Sequence, residues 1–404
     1  MTAAASRSGR ASIPNRLSLK RIRVAVLYGG RSGEHEVSLA SAAAVLANLD
    51  SKRYEKIAVR IEKDGRWLLA DRPPSAASAA EVIEQSRSEA GRRGGREVLL
   101  PPRPGGETLM VLDRRAGPED DAEPSITLTG LGVDVVFPVL HGPQGEDGTV
   151  QGLLELAGVA YVGCGVLASA VGMDKLLMKT VFRAHDLRVP DWVAVTRRQW
   201  SNEPAATIEH IESALPYPLF VKPANLGSSL GISKVPDREA LGPALTLAAE
   251  FDRRIVVERA VPNAREIECA VLGNSPAEAS LPGEIVPSRE FYDYEAKYLD
   301  AGSRLTIPAA LDAATTNEIR RQALRAFAAI DGAGLARVDF LLDRVSGELF
   351  VNEINTMPGF TTISMFSKMW AASGVDYPTL VDRLIALAME RHEEKLELRT
   401  SVFG

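Results

Sequence analysis

Asp339, Glu353 and Asn355 bring three oxygen-bearing side chains within 17 residues of one another. They sit in two short runs, Arg337-Val-Asp-Phe-Leu-Leu-Asp343 and Leu349-Phe-Val-Asn-Glu-Ile-Asn355, with Ser346-Gly347 between them. Val338, Phe340 and Leu342 alternate with Arg337, Asp339 and Leu341. Phe350, Asn352 and Ile354 alternate with Val351, Glu353 and Asn355. Period-two alternation around a turn signal predicts a hairpin. A three-residue loop Val345-Ser346-Gly347, with Gly347 supplying positive φ, sets Asp339 opposite Glu353 and Arg337 opposite Asn355. All four then share one face. Two opposed carboxylates with no Lys between them repel. A hard cation cancels that repulsion, and Asp, Glu and Asn oxygens are the ligands Mg2+ takes. A solvated polar face accounts for the same residues, and the hairpin alone leaves both readings open.

Other stretches add candidates. Leu219-Phe-Val-Lys222-Pro runs into Gly227-Ser228-Ser229-Leu-Gly231 and then a second apolar strand. Gly and Ser expose backbone N–H groups and small hydroxyls that suit phosphate oxygens. The lysine precedes the loop and strands flank it, so this is not a P-loop. An ordinary hairpin with a flexible loop is the bland alternative. Glu34-His35-Glu36 stands where a strand ends and a helix begins, and acidic residues favour a helix N-terminus without any further role. His141-Gly-Pro-Gln-Gly145-Glu-Asp-Gly148 holds three glycines in eight residues, so the backbone turns sharply or something approaches closely. His141 alone reads more readily as a structural hydrogen-bonder. Lys175 and Lys179 fall on a helix, where surface lysines are ordinary. Residues 291–298, Phe-Tyr-Asp-Tyr-Glu-Ala-Lys-Tyr, are too polar for core and read as a functional loop or lid.

The elements that must position these residues follow from the pattern of the whole chain. Its 404 residues suit two or three domains, and 45% hydrophobic with 25% charged residues is ordinary for a globular protein. A net charge of -6 argues against a nucleic-acid partner. Cys164 and Cys269 are too few for a disulfide framework and fit a reducing cytoplasm. No run approaches a membrane span. Residues 1–20 read as a disordered or tag-like tail. Residues 22–28, then Gly29-Gly30, then a helix over 37–49 form the first unit of an open α/β sheet, which binds ligands at the carboxyl ends of its strands. Residues 70–130 are rich in Pro, Ser, Gly, Arg and Glu and read as an insertion with long surface loops. Residues 133–140 are a strand buried on both faces. One helix is expected over 168–187, strands over 254–261 and 265–272, and an amphipathic helix over 315–330.

Eight stretches in this order resemble the ATP-grasp superfamily, and within it the D-alanine–D-alanine ligases. They are Tyr28-Gly-Gly-Arg-Ser-Gly-Glu-His-Glu-Val-Ser38, the His141–Gly148 stretch, Met173-Asp-Lys175, Lys222-Pro with Gly227–Gly231, Arg265-Glu266, Tyr292–Tyr298, Arg337-Val-Asp339 and Glu353-Ile-Asn-Thr-Met-Pro-Gly359. The resemblance runs from residue 22 to about 395. It implies an α/β and α+β chain: an N-terminal open α/β sheet domain (21–163, with the 70–130 insertion), then a two-domain ATP-grasp unit. The central domain would be 164–258 and the C-terminal domain 259–404. It implies ATP-dependent joining of two D-alanine molecules through an acyl phosphate, for peptidoglycan precursor synthesis in the cytoplasm, by a homodimer.

The resemblance also implies roles. Glu36 would bind the first D-alanine's ammonium in a triad with Ser228 and Tyr298, with His141 beside that substrate. Lys175, Lys222, Ser228 and Ser229 would contact the nucleotide phosphates. Glu258 and the backbone near Val261 would hold adenine, Glu266 the ribose, and Lys297 the transferring phosphoryl group. Asp339, Glu353 and Asn355 would ligate two Mg2+ ions, with Mn2+ as a substitute. Arg337 and the Gly359 N–H would stabilise the oxyanion, and Ser364 would hold the second D-alanine's carboxylate. The aromatic-acidic lid resembles the dipeptide-forming enzymes more than the D-lactate ligases. A D-serine or D-lactate ligase, and a nucleotide-binding regulator without turnover, are the competing expectations.

Overall fold

Apolar runs of Val, Ile, Leu and Ala set the interior of three separate sheets. The computed structural model describes residues 20–71, 73–75, 80–82, 95–115, 125–286 and 304–399. The 1–19 tail and residues 291–298, with Lys297 and Tyr298, lie outside the described residues.

The N-terminal sheet holds β1 (Ile22–Gly29), β2 (Tyr54–Ile61), β3 (Trp67–Ala70), β4 (Gly95–Leu99), β5 (Leu109–Arg115), β6 (Ser125–Leu131), β7 (Val135–Pro138) and β8 (Ala160–Tyr161). Their order is β6-β5-β4-β3-β2-β1-β7-β8. β1 is parallel to β2 and β7, and β7 to β8. Val24 through Tyr28 are buried on both faces, as a central parallel strand requires. Helices α1 (His35–Asn48) and α2 (Thr149–Ala157) follow β1 and β7. The switch point of this sheet therefore lies between the Gly29-Gly30 and His141–Gly148 loops. The 70–130 segment departs from the expectation of surface loops. Its described part extends the sheet by an antiparallel meander, β3 to β6. Alternating residues such as Val98 and Val111 are buried there, a signal diluted in the sequence by the polar residues between them.

Next come α3 (Val166–Met173) and α4 (Lys175–Ala184). The single helix expected here is broken at Asp174, which is extended (φ -85, ψ 101) and caps α4 by accepting from the Leu177 N–H. The central sheet, β9 (Trp192–Thr196), β10 (Leu219–Pro223), β11 (Ser233–Val235) and β12 (Arg254–Arg259), is antiparallel in the order β11-β10-β12-β9. It carries α5 (Arg197–Asn202), α6 (Pro204–Ala214) and α7 (Arg238–Phe251) on one face.

The C-terminal sheet contains β13 (Ala264–Gly273), β14 (Glu278–Ala279), β15 (Gly283–Val286), β16 (Arg304–Thr306), β17 (Gly334–Asp343) and β18 (Leu349–Asn355). Its main path is β16-β15-β13-β17-β18, and it is flanked by α8 (Ala313–Ala329), α9 (Met365–Ala372) and α10 (Tyr377–Leu396).

The cores are unequally shared. One cluster joins Val26, Tyr28 and Phe137 of the N-terminal sheet to Phe360, Phe366, Trp370 and Leu384 near the C-terminus. Phe137 and Phe360 meet with ring centroids 5.7 Å apart. Helices α3 and α4 pack on the C-terminal sheet through Ala168, Met178 and Phe182. The central sheet has a core of its own, including Val193, Val221, Leu241 and Val257.

Candidate active site

The β17–β18 hairpin delivers its polar residues by a different route from the expected one. The loop has four residues, 344–347, because the Asp343 N–H donates to the Glu348 carbonyl and the Gly347 N–H to the Asp343 carbonyl. Phe340 then pairs with Val351, one residue out of the register expected at that position. A bulge at Asn352 restores it, so Asp339 opposes Glu353 and Arg337 opposes Asn355. The regular alternation expected through 350–355 is broken at the same place: Val351 and Ile354 are both buried. The longer loop and the bulge cancel, and the four residues share one face.

β13 completes that face. Glu268 pairs with Asp339, so three carboxylates stand in one row across β13, β17 and β18. Arg337 lies in the next row and ties two of them together. It donates to Asp339 through Nε and Nη2, both at 2.7 Å, and lies 3.2 Å from Glu268. Asn355 Nδ2 donates to the same Asp339 at 3.1 Å. Burial works against the Arg337 charge, but Asp339, Glu268 and Glu353 outweigh it and hold the guanidinium well above its ordinary pKa. Among the described residues no cluster of three or more His, Cys, Asp or Glu is arranged to hold a metal. Two carboxylates and an amide oxygen on one face do fit Mg2+, which takes one or two carboxylates and completes its shell with phosphate and water.

Facing this row are Lys175 and the 225–232 loop. Lys175 is the first residue of α4, and its Nζ donates to the Leu226 carbonyl at 2.6 Å. Ser228 and Ser229 are both left-handed, with φ of 51° and 57°. Two consecutive non-glycine residues in that region are strained, a feature that clusters at functional sites. Glu34, Glu146, Lys175, Gly227, Ser228, Glu353 and Asn355 line one cleft between the three sheets.

The glutamate that meets Ser228 is Glu34, not Glu36. Ser228 Oγ donates to Glu34 Oε1. Glu36 points the other way and pairs with Lys63 at 2.8 Å. The expected Glu36–Ser228 contact is therefore corrected. Residues two apart at a helix start diverge by about 200°, so only one of the two can face the cleft. Gly142 (φ 73°) makes room for the Glu34 carboxylate, since a Cβ there would sit 2.5 Å from Oε2.

His141 is a buried clamp between α1 and the 356–364 loop. The Met357 carbonyl can only accept, so Nδ1 carries the proton and donates to it at 2.9 Å. Burial pulls the His141 pKa down, leaving Nε2 to accept from the Ser41 hydroxyl at 3.0 Å. Ser41 Oγ in turn accepts from the Phe360 N–H. Glu146 reinforces the same junction. Its two oxygens accept from the Gly142 N–H (2.7 Å) and the Met357 N–H (3.3 Å). Burial, and then the nearby Glu34 charge, push its pKa up to about 8. The 356–364 loop held this way carries Gly359 and Ser364. A Cβ on Gly359 would lie 3.5 Å from Ser364 Oγ, and that oxygen accepts from the Thr361 N–H at the start of α9.

The other expected residues lie on the central and C-terminal sheets and the link between them. Lys222 and Glu258 are paired on the central sheet. Val261 lies in the link between β12 and β13, and Glu266 on β13 two residues before Glu268. The sequence gives Glu34, Glu146, Glu268 and Lys179 no role at the site. Glu268 shares a strand face with Glu266, which was the available signal; Lys179 was read as a surface lysine but is 1% exposed.

Sequence profiles described as D-ala D-ala ligase N-terminus and D-ala D-ala ligase C-terminus match residues 23–164 and 181–386. The chain belongs to the D-alanine–D-alanine ligase family. A D-alanine--D-alanine ligase of Heliobacterium modesticaldum is 48% identical over 92% of this chain and 96% of its own. One from Bacillus cytotoxicus is 43% identical, covering 95% and 100%. Among solved structures, the VanG D-Ala:D-Ser ligase from Enterococcus faecalis aligns with TM-score 0.77 at 34% identity, covering 91% of this chain and all of the other. The D-alanine-D-alanine ligase from Coxiella burnetii aligns with TM-score 0.74 at 36% identity, covering 94% and 97%. The α/β and α+β architecture is that of this family's ATP-grasp structures.

Proposed function

We propose that the protein is an ATP-dependent ligase that joins two D-alanine molecules. The observation that carries this is the convergence of Lys175, Ser228, Glu34, Glu353 and Asn355 on one cleft, in a chain whose relatives at 43–48% identity are D-alanine--D-alanine ligases. A carboxylate is a poor acyl donor. The carboxylate of the first D-alanine attacks the γ-phosphorus of ATP, ADP leaves, and an acyl phosphate forms. The amine of the second D-alanine then attacks the carbonyl carbon, loses a proton, and phosphate departs. Phosphoryl transfer depends on positioning and charge neutralisation. Lys175, Lys222, Ser228, Ser229 and Lys297 supply contacts to the phosphates. Glu258, Val261 and Glu266 hold the nucleoside.

Glu34, in place of Glu36, takes the first D-alanine's ammonium, with Ser228 and Tyr298 completing the triad. His141 and Glu146 hold the 356–364 loop so that the Gly359 N–H, with Arg337, faces the developing oxyanion. Ser364, at the N-terminus of α9, receives the second D-alanine's carboxylate. Asp339, Glu353 and Asn355 would hold two Mg2+ ions, which supply charge neutralisation at the phosphoryl oxygens. The 291–298 lid shields the acyl phosphate from water. We place the reaction in the cytoplasm, in the supply of peptidoglycan precursor, and the enzyme as a homodimer. No described helix is long and apolar enough to cross a membrane.

The test is phosphate release with ATP, Mg2+ and D-alanine alone, then with D-serine or D-lactate in competition. Dipeptide as the dominant product is expected. Preference for either competitor at neutral pH would replace D-alanine as the second substrate, and no phosphate release would leave a nucleotide-binding protein without turnover. In Glu353→Gln the fold should persist while phosphate release falls on the order of 100-fold or more; near-normal turnover would remove Glu353 from the metal site.

A further inference from the structure

Two buried lysines share one carboxylate on the wall where the nucleotide is placed. Phe220 pairs with Glu258 and Lys222 with Val256 on antiparallel β10 and β12. Lys222 and Glu258 are therefore diagonal neighbours on the same face. The opposite face, with Leu219, Val221, Ile255 and Val257, packs on the central core. Helix α4 crosses the Lys222–Glu258 face and inserts Lys179, whose Nζ lies 2.8 Å from Glu258 Oε2. Lys222 Nζ meets the other oxygen, Oε1. The three side chains differ in access: Lys179 is 1% exposed, Glu258 2% and Lys222 11%. Burial pushes the Glu258 pKa up, yet the two lysines together hold it down, to about 2.

α4 is pinned where Lys179 needs it. Asp174 caps the helix and pairs with Arg254 of β12, and the Lys175 N–H donates to the Ala224 carbonyl at 3.0 Å. Lys175 and Lys179, four residues apart, lie on the same face of the helix. Lys175 is at the cleft and Lys179 is sealed behind it.

Lys222 faces a conflict. As a phosphate ligand it must give its charge to ATP, but it also neutralises a carboxylate that is almost wholly buried. An isolated buried charge is unfavourable. We propose that Lys179 is a positioning residue for nucleotide binding: it keeps Glu258 paired, so that Lys222 can turn to the phosphates without leaving a lone buried carboxylate. The inference rests on the reading of Lys222 as a phosphate ligand.

Steady-state kinetics on the full chain test it, with Lys222→Ala, Lys179→Met, Glu258→Gln and the double variant Lys179→Met/Glu258→Gln. In Lys179→Met, Lys222 becomes the one cation left beside Glu258 among the described residues and is held back from ATP. KM for ATP is expected to rise about tenfold or more, with kcat and KM for D-alanine changed far less. The double variant is read against Glu258→Gln, which carries any loss of the nucleoside contact by itself: in that background Lys179→Met should add little to KM for ATP, because glutamine needs no counter-charge, whereas a purely structural Lys179 would add its full penalty. Unchanged KM for ATP in Lys179→Met, or losses that multiply in the double variant, would overturn the proposal while leaving the phosphate reading standing. Normal KM for ATP in Lys222→Ala would overturn both. Should Lys179→Met not fold, Lys179→Gln takes its place, with its added effect in the Glu258→Gln background as the deciding comparison.

Discussion

Glu34 and Glu36 separate two roles that are hard to tell apart in a linear sequence. Both are acidic, both flank His35, and only the direction of α1 decides which reaches Ser228. The expected outcome of substitution is correspondingly unequal. Glu34→Gln should raise KM for D-alanine about tenfold or more, the scale of one charge-assisted hydrogen bond. Glu36→Gln loses only a partly exposed pair with Lys63 and should stay within about twofold of the parent. D-alanine saturation curves of both variants check this, and equal effects would remove the assignment. Glu146 gives a second prediction, through pH. Its folded pKa is raised to about 8, from 4.5. The folded state then binds more protons than the unfolded chain between those values, so this group's contribution is fully present below 4.5 and is lost as pH rises through 8. Denaturant titrations should show Glu146→Gln gaining stability relative to the parent from pH 5 to pH 8; a constant difference would contradict it. Residue types and order were thus legible, since the row of acids on β17 and β18 follows from their alternation. Which oxygen meets which donor was not, because that depends on loops and helix directions that adjacent residues do not encode.

At the scale of elements, the β17–β18 hairpin shows how a right answer can arise from two departures. A four-residue loop and a bulge at Asn352 each move the register by one residue, and they do so in opposite senses. Turn chemistry at Ser346-Gly347 does not distinguish a three-residue from a four-residue loop, and the bulge leaves no apolar signature beyond the misplaced Val351. Bulges add twist and re-aim side chains. Deleting Asn352 would leave Val351 and Ile354 inside and Glu353 opposite Asp339, so the hairpin should still fold. What it should lose is the aim of Glu353: phosphate release is expected to fall on the order of 100-fold, with the circular dichroism spectrum unchanged. Full activity in the deletion would reduce the bulge to an accident of loop length. The break at Asp174 makes the same point for helices. Apolar periodicity runs through it unbroken, while capping of α4 by Asp174 and its pairing with Arg254 end one helix and begin another.

For the whole molecule, the division of the interior matters more than the number of sheets. The central sheet has a core of its own and touches the rest through a small apolar contact, Val256 and Trp192 with Leu176 of α4, and through polar links that include Glu34–Ser228, Asp174–Arg254 and Lys175–Leu226. Calorimetry should resolve a separate transition for this part, and ATP with Mg2+ should move it toward the main one; a single transition insensitive to nucleotide would argue against an independent unit. The shared core has a consequence for synthesis. The last strand of the N-terminal sheet ends at Tyr161, yet Val26, Tyr28 and Phe137 pack against Phe360, Phe366, Trp370 and Leu384. Roughly 200 residues separate the two, some 10–40 s at about 5–20 residues per second on the ribosome. During that interval the aromatic face of the N-terminal sheet is finished but uncovered, an exposed apolar surface of the kind that makes a nascent chain prone to aggregate until the C-terminal helices emerge.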